Sequence, residues 1–291
     1  MKKIISLLLV VVAIFGCFAT FTSCGGGKDP GEVKAALIAL HGTSSTYDKN
    51  FIEAFKTACQ NKGLKEENYT IITDIPEGTE CYDEAANFAD EGYDVIFADS
   101  FGHESYMLKA AKEFPNVQFC HATGTTAHTE NVANFQNSFA SIYEGRYLAG
   151  VAAGLKLNEM IADGKITAEQ AKMGYVGAMP YAEVKSGLTS FYLGAKSVCP
   201  TVTMDVKYTN SWYDMTKEQE AANALMDGGC VLISQHADSM GAPNACEARN
   251  VPNVSYNGST ASACPNTALI SSRINWTPYF DIDIDGITTI Q

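Results

Sequence analysis

From residue 33 onward, short apolar runs alternate with stretches whose apolar positions recur every three or four residues. Residues 33–40 read as a strand, and 50–60 as a helix with Phe51, Phe55 and Ala58 on one face and Gly63 closing it. Residues 69–75, 94–98 and 117–122 continue as strands, with helices at 80–90 and 104–113 between them. Such alternation predicts a parallel sheet covered by helices. A second series starts at Met173. There "MGYVGAM" reads as a strand, 185–196 as a helix, and 202–208 and 230–234 as further strands. The helix between the last two takes Thr216 as its cap, Gln219 as the partner in a capping box, and Gly228-Gly229 as its end.

The two series also match each other. "EAANFADEGYDVIF" (84–97) and "EAANALMDGGCVLI" (220–233) align without a gap, with Gly92 opposite Gly228. Two similarly folded α/β halves are the expectation, facing one another through their strand-end loops. Open α/β sheets gather ligands at the carboxyl ends of their strands. The residues there are His41, Tyr47, Asp48 and Phe51 after the first strand, Ser100, Phe101 and His103 after the third, and His121 and Thr123 after the fourth. In the second series they are Trp212, His236, Asp238, Ser239 and Asn257. Flat rings with hydrogen-bonding neighbours suit a planar heteroaromatic ligand, since stacking supplies area and a few directed groups select the edge.

Ahead of residue 33 the chain reads as an export leader. Lys2 and Lys3 precede an apolar run over 4–18, too short for a comfortable membrane span. Ser23-Cys24 followed by Gly25-Gly26-Gly27 resembles a bacterial lipobox, although Phe21 stands where Leu is usual; simple secretion is the alternative. Residues 1–23 are then a signal peptide, Cys24 carries the lipid, including a palmitate-type acyl chain, and 24–32 is a tether. Loss of Lys2 and Lys3 takes the formal charge from -13 to -15. That acidity argues against nucleic acid as a partner. Seven cysteines beyond Cys24 are scattered without a C-x-x-C pair and read as buried thiols, with one or two disulfides possible.

Catalytic motifs do not emerge. Four histidines (His41, His103, His121 and His236) lack metal-ligand spacing, no G-x-S-x-G elbow, P-loop or dinucleotide fingerprint opens a helix, and Cys120 and His121 point to opposite faces of one strand. No cofactor, no metal and no enzymatic activity are expected.

Several segments together resemble the basic membrane protein family of bacterial transporter substrate-binding lipoproteins, the group that includes purine nucleoside receptors of spirochaetes. They are "YDKNFIEAF", "NSFASIYEGRYLAGVAAG" (137–154), "GYVGAMPYAEV", "NSWYDMTKEQEAA", "VLISQHADS", "NVSYNG" and "INWTPYF". The later ones are similar to a branch associated with adenine or related purines. The resemblance implies a type I periplasmic-binding-protein-like α/β fold: two Rossmann-like lobes joined by crossing strands, closing on a ligand and passing it to an ABC-type permease. It implies an N-terminal lobe of 33–158 plus about 253–275 and a C-terminal lobe of 159–252 plus about 276–291. It also implies a base held between Phe51 and Trp212, with Asp48 and Asn257 on the ribose or base edge and His121, His236 and Trp276 as features of the branch; the strand-end loops add Tyr47, Phe101 and Asp238 to the candidate ligand-binding set. A flavin, a sugar or a signalling molecule is the alternative ligand. An extracytoplasmic small-molecule enzyme and a surface adhesin are the alternative classes.

Departures from the family pattern carry expectations too. Ile52 stands where relatives place Asn. Relatives continue past "NWTPYF" through a further helix and closing strands, so a shortened second lobe is expected, and the alternation of Asp281, Asp283 and Asp285 with Ile282 and Ile284 reads as a strand. Within 137–154, Tyr143, Leu148, Val151 and Leu155 read as a buried helical stripe, Gly145, Gly150 and Gly154 as points of close backbone approach, and Glu144 and Arg146 as solvated or paired.

Overall fold

A computed structural model describes residues 28–288. The leader and residues 24–27 of the tether, Cys24 among them, lie outside the described residues. Strands β1 (Ala35–Ile38), β2 (Tyr69–Ile72), β3 (Val95–Ala98), β4 (Gln118–Ala122) and β5 (Phe135–Ser138) form one parallel sheet in the order β2-β1-β3-β4-β5. Strands β6 (Lys172–Gly177), β7 (Thr203–Tyr208), β8 (Leu232–His236), β9 (Asn253–Tyr256) and β10 (Ala268–Ser272) form a second, ordered β7-β6-β8-β9-β10. The second sheet repeats the first strand for strand. The fold is the expected two-lobed, type I periplasmic-binding-protein-like α/β architecture.

Each sheet is buried on both faces, as parallel sheets must be. In the first lobe, α1 (Thr46–Asn61) and α9 (Thr277–Thr288) cover one face, and α2 (Thr79–Asp90) and α3 (Glu104–Glu113) the other; a short α4 (Ala127–Glu130) precedes β5. Alternate residues of β1 divide between these two cores, Ala35 and Leu37 toward α1, Ala36 and Ile38 toward α2. In the second lobe, α5 (Ile142–Ala162) and α6 (Ala182–Val198) cover one face, and α7 (Met215–Asp227) and α8 (Gly241–Arg249) the other.

The internal sequence match falls on equivalent units, α2–β3 and α7–β8. Its register at the turn is displaced by one residue. The left-handed residue is Gly92 (φ 78°) in the first lobe and Gly229 (φ 89°) in the second, and Tyr93 N→Phe88 O corresponds to Cys230 N→Leu225 O. A left-handed closing turn, more than residue-by-residue identity, fixes how the strand leaves the helix.

Several expectations change. Residues 253–256 pair with β8, and 268–272 pair in turn with 253–256 at the edge of the second sheet; α5 packs from its start on α6 and β10, and α9 returns to the first lobe, so the expected assignment of the segments 142–158, 253–275 and 276–288 to lobes is reversed. Residues 281–285 are helical: Phe280 and Ile284, four apart, pack on α1, Ile282 faces outward, and Asp283 is buried, where its carboxylate accepts from Gln136 Nε2. The helix after β7 is capped two residues earlier than predicted, by Asp214, which accepts from Lys217 N at 2.9 Å while Glu218 accepts from Asp214 N at 3.2 Å. On α5 the Tyr143, Leu148 and Leu155 stripe is exposed. The buried face is Ile142, Arg146, Ala149, Gly150, Ala153, Gly154 and Leu157. Small residues are there because α6 comes so close: a Cβ on Gly150 would sit 2.0 Å from the Phe191 carbonyl oxygen. Arg146 is fully buried rather than solvated, donates to Ser255 O at 3.1 Å and to Ser234 Oγ, lies 5.0 Å from the Phe191 ring centroid, and has no carboxylate partner among the described residues. All seven described cysteines are free and buried.

Candidate functional site

The two sheets point the carboxyl ends of their strands at one cavity, with about 370 Å³ of atom-free space partly open to solvent. From the first lobe come Leu40, Tyr47 and Asp48 beyond β1, Ser100 and Phe101 beyond β3, and Thr123 beyond β4. From the second come Glu183 beyond β6, Trp212 beyond β7, His236 and Asp238 at the end of β8, and Tyr256 closing β9. The lobes touch at the lips. Thr46 N donates to Asp238 O at 2.9 Å, His41 and Tyr213 rings lie 5.2 Å apart, and Phe101, Tyr181 and Trp212 form an aromatic run with centroid separations of 5.1 and 5.9 Å.

Local structure fixes each wall. Ser45 caps α1 by accepting from Asp48 N, and Asp48 in turn accepts from His41 N at 2.8 Å and from the Ser45 hydroxyl. Asp48 therefore holds the β1–α1 turn closed while bordering the cavity. Tyr47 donates from its hydroxyl to Asp99 O at 2.8 Å, which presents the side of its ring to the space. Across the gap, the backbone oxygen of Trp212 accepts from Asp238 N at 3.0 Å, tying two strand-end loops together. The His236 ring lies 4.0 Å from that of Tyr256, whose hydroxyl donates to Glu183 Oε1 at 3.4 Å.

The electrostatics are one-sided. Asp48, Glu183 and Asp238 line the cavity and no lysine or arginine does. Burial pushes the Asp238 carboxyl well above the usual carboxylate range, and the neighbouring Asp48, Glu218 and Glu183 charges push the same way. Burial drives His236 below the ordinary imidazole value, against the pull of Glu183 3.7 Å from its Nε2. Neither His236 ring nitrogen has a hydrogen-bond partner among the described residues: Nδ1 lies against Gly187 of α6, where an added Cβ would come within 2.7 Å, and Nε2 lies nearest Glu183.

Of the residues singled out in the sequence, Tyr47, Asp48, Phe101, Trp212, His236 and Asp238 converge on this cavity. The other four do not. Phe51 lies one layer deeper, its ring 5.0 Å behind Tyr47 and stacked on Trp276 at 4.3 Å; both are in the first-lobe core, so Phe51 and Trp212 do not face each other across the space. The helical period explains it: Phe51 lies on the same face of α1 as Tyr47 but one turn further from the rim, which carries its ring into the core. His121 is fully buried behind the rim, its Nε2 2.7 Å from Ser100 O, where it supports the loop carrying Ser100 and Phe101. Asn257 lines a different cavity. Glu183 and Tyr256 were missed, although both obey the strand-end rule that found the others. Among the described residues, no group of three or more His, Cys, Asp or Glu side chains is placed to hold a metal ion.

With this geometry in hand, comparison with known proteins is informative. Residues 36–288 match the family model described as Bmp, ABC transporter substrate-binding protein PnrA-like. A purine-binding protein of Brucella abortus is 35% identical over 211 residues, covering 72% of this chain and 56% of its own. A putative ABC transporter glucose-binding protein of Haloferax volcanii is 31% identical over 272 residues, covering 91% of this chain and 64% of its own. The chain thus spans less than two thirds of the length of either relative. A solute-binding protein of an ABC transporter system from Conexibacter woesei shares the fold, with a TM-score of 0.65 at 24% identity over 88% of this chain and 80% of that one. Sequence and architecture lead to one placement: the chain belongs to the Bmp family of ABC-transporter substrate-binding proteins.

Proposed function

We propose that this protein captures a purine base or nucleoside outside the cytoplasmic membrane, closes its two lobes on it, and delivers it to an ABC-type permease, held at the membrane by a lipid on Cys24. The observation that carries the reading is a narrow cavity with aromatic walls, three carboxylate-bearing residues and no cation. Tyr47 and Phe101 on one lobe and Trp212 on the other offer faces to a flat ring. Asp238, Glu183 and the His236 ring offer polar groups to its edge. A purine presents N–H donors and ring-nitrogen acceptors in one plane, which matches this set. The relative described as purine-binding agrees with it. Closure follows because such a guest touches both lobes and favours the state in which it does so.

A sugar is the second reading. The relative described as glucose-binding favours it, and carboxylates beside aromatic faces also suit hydroxyl-rich rings. A thermal-shift panel of purine bases, nucleosides, nucleoside monophosphates, flavins and hexoses separates the two. Purine bases or nucleosides should raise the midpoint strongly, and monophosphates should not, because their charge would enter a cavity without a cation. A shift with hexoses alone would replace the purine reading by the sugar one, and conversion of a nucleoside to free base during the assay would point to an enzyme. Mass spectrometry of the membrane-extracted protein tests the anchor, with a diacyl increment on the peptide starting at Cys24 as the expected result.

A further inference from the structure

A second cavity lies between the lobes, and unlike the first it carries cations, Lys49 and Arg273, with Glu53 as its one carboxylate. Thr46, Lys49, Asn50 and Glu53 follow one another at helical spacing along α1 and form one of its walls. Tyr47 and Asp48, on another face of the same turn, border the candidate ligand cavity, and the two linings share no residue. Arg273, on the crossing between β10 and α9, and Asn257 supply the opposite wall of a space of about 810 Å³ that is open to solvent.

The donors here lack partners. Arg273 is exposed and makes no ion pair among the described residues. Lys49 has only Glu53, at 3.7 Å, with both side chains about half exposed (53% and 54%). Asn257 is 98% buried, its relative exposure being 2%; its Oδ1 accepts from Ile274 N at 3.5 Å, and its Nδ2 has no partner among the described residues. A buried amide N–H without an acceptor is unfavourable, and a ligand oxygen arriving there would relieve it. Asn50 fixes the geometry by donating from Nδ2 to Ile274 O at 2.7 Å, which ties α1 to the crossing strand beside Arg273.

We propose that this cavity binds a small oxyanion, of the phosphate or carboxylate class, held between Lys49 of the first lobe, Arg273 of the crossing and the Asn257 amide of the second lobe. Because its ligands come from both lobes, the anion favours the closed state. If the first cavity is the substrate site, the anion raises substrate affinity, and substrate raises anion affinity by the same factor.

The test needs no substrate. Isothermal titration and thermal shift of the purified protein with sodium phosphate, and separately with sodium acetate, are compared with sodium chloride at matched ionic strength. Phosphate or acetate should give a saturable midpoint increase that chloride does not. Arg273→Ala and Lys49→Ala should each weaken it at least tenfold, and Lys185→Ala, which removes an exposed cation outside both cavities, should leave it unchanged. Arg273 and Lys49 are exposed, so both variants should keep the parent's circular dichroism, and Asn257→Gly, which keeps the left-handed backbone at φ 57°, gives a third reading of the same contact. The absence of a saturable response to either anion, or the same response in Arg273→Ala as in the parent, would overturn the proposal. Phosphate and acetate curves that differ show which class the site takes. Purine binding measured separately keeps failure of the substrate reading distinct.

Discussion

The two lobes repeat one strand order and fill their cores by opposite means. The first uses bulk: Phe51, Phe55, Phe97, Trp276 and Phe280 interlock between α1, α9 and the sheet, with Phe97 and Phe280 centroids 4.8 Å apart. The second uses the absence of bulk. Where α5 meets α6, a Cβ on Gly194 would lie 2.0 Å from the Tyr147 carbonyl oxygen, and one on Gly154 would lie 2.6 Å from that of Ala195. Bulk in the first lobe supports Tyr47 from behind, and close helices in the second bury Arg146 with no carboxylate partner among the described residues. One topology can therefore be stabilised by interlocking rings or by backbone proximity, and the two should fail differently when disturbed.

The largest effect is expected from Phe280→Ala. It empties the centre of the first core and should cost about 3–5 kcal/mol in urea denaturation. A loss under 1 kcal/mol would mean that α9 contributes little and that the ring cluster is not what supports α1. Gly150→Val attacks the other mechanism. The added side chain meets backbone that cannot rotate away, so about 1–3 kcal/mol or more should be lost, chiefly as faster hydrogen exchange in α5 and α6 while α1 stays protected. Equal loss of protection in both lobes would erase the contrast.

Titration sharpens the comparison further. Burial brings His121, in the first lobe, from the ordinary 6.5 to about 4. Because the folded value is depressed, the unfolded chain binds the proton first: this contribution is complete above about pH 6.5 and is lost as pH falls toward 4, on the order of 3 kcal/mol in all. Glu218, in the second lobe, is raised by burial from 4.5 to about 7. Its sign is reversed, with the contribution complete below pH 4.5 and lost as pH rises through 7. Stability curves of His121→Gln and Glu218→Gln between pH 4 and 8 should flatten on the acid and the neutral side respectively; parallel curves would contradict both assignments. The smallest effect belongs to the cavity. Trp212→Ala should weaken purine binding about tenfold, or 1.4 kcal/mol, with unfolding essentially unchanged. Unaltered affinity by calorimetry would remove Trp212 from the site.

Much of the fold was legible because periodicity and strand-end logic are local. The alternation of 33–40, 69–75 and 94–98 with helical segments announced the first sheet, and the paired "EAAN" segments announced the second. What failed was non-local. Whether 253–272 joins one sheet or the other depends on which edge is vacant, and no local pattern encodes that. Residues 281–285 alternate like a strand, yet Phe280 and Ile284 find their partners across α1 only as a helix. At the cavity, the loop rule located Tyr47, Trp212, His236 and Asp238, but it could not tell that Phe51 turns inward to Trp276 while Tyr47 turns outward. Depth within a helix turn is set by what packs behind it. For the same reason Arg146, polar by nature, was read as solvated or paired although Tyr175, Phe191 and three strands enclose it.

The seven buried thiols give the molecule a built-in clock. Cys59, Cys81 and Cys120 report on the first lobe, and Cys199, Cys230, Cys246 and Cys264 on the second. A sulfhydryl reagent added in brief pulses can mark each only while its surroundings are open, so the order in which alkylated peptides accumulate records which half of the chain loosens first, with no label introduced by mutation.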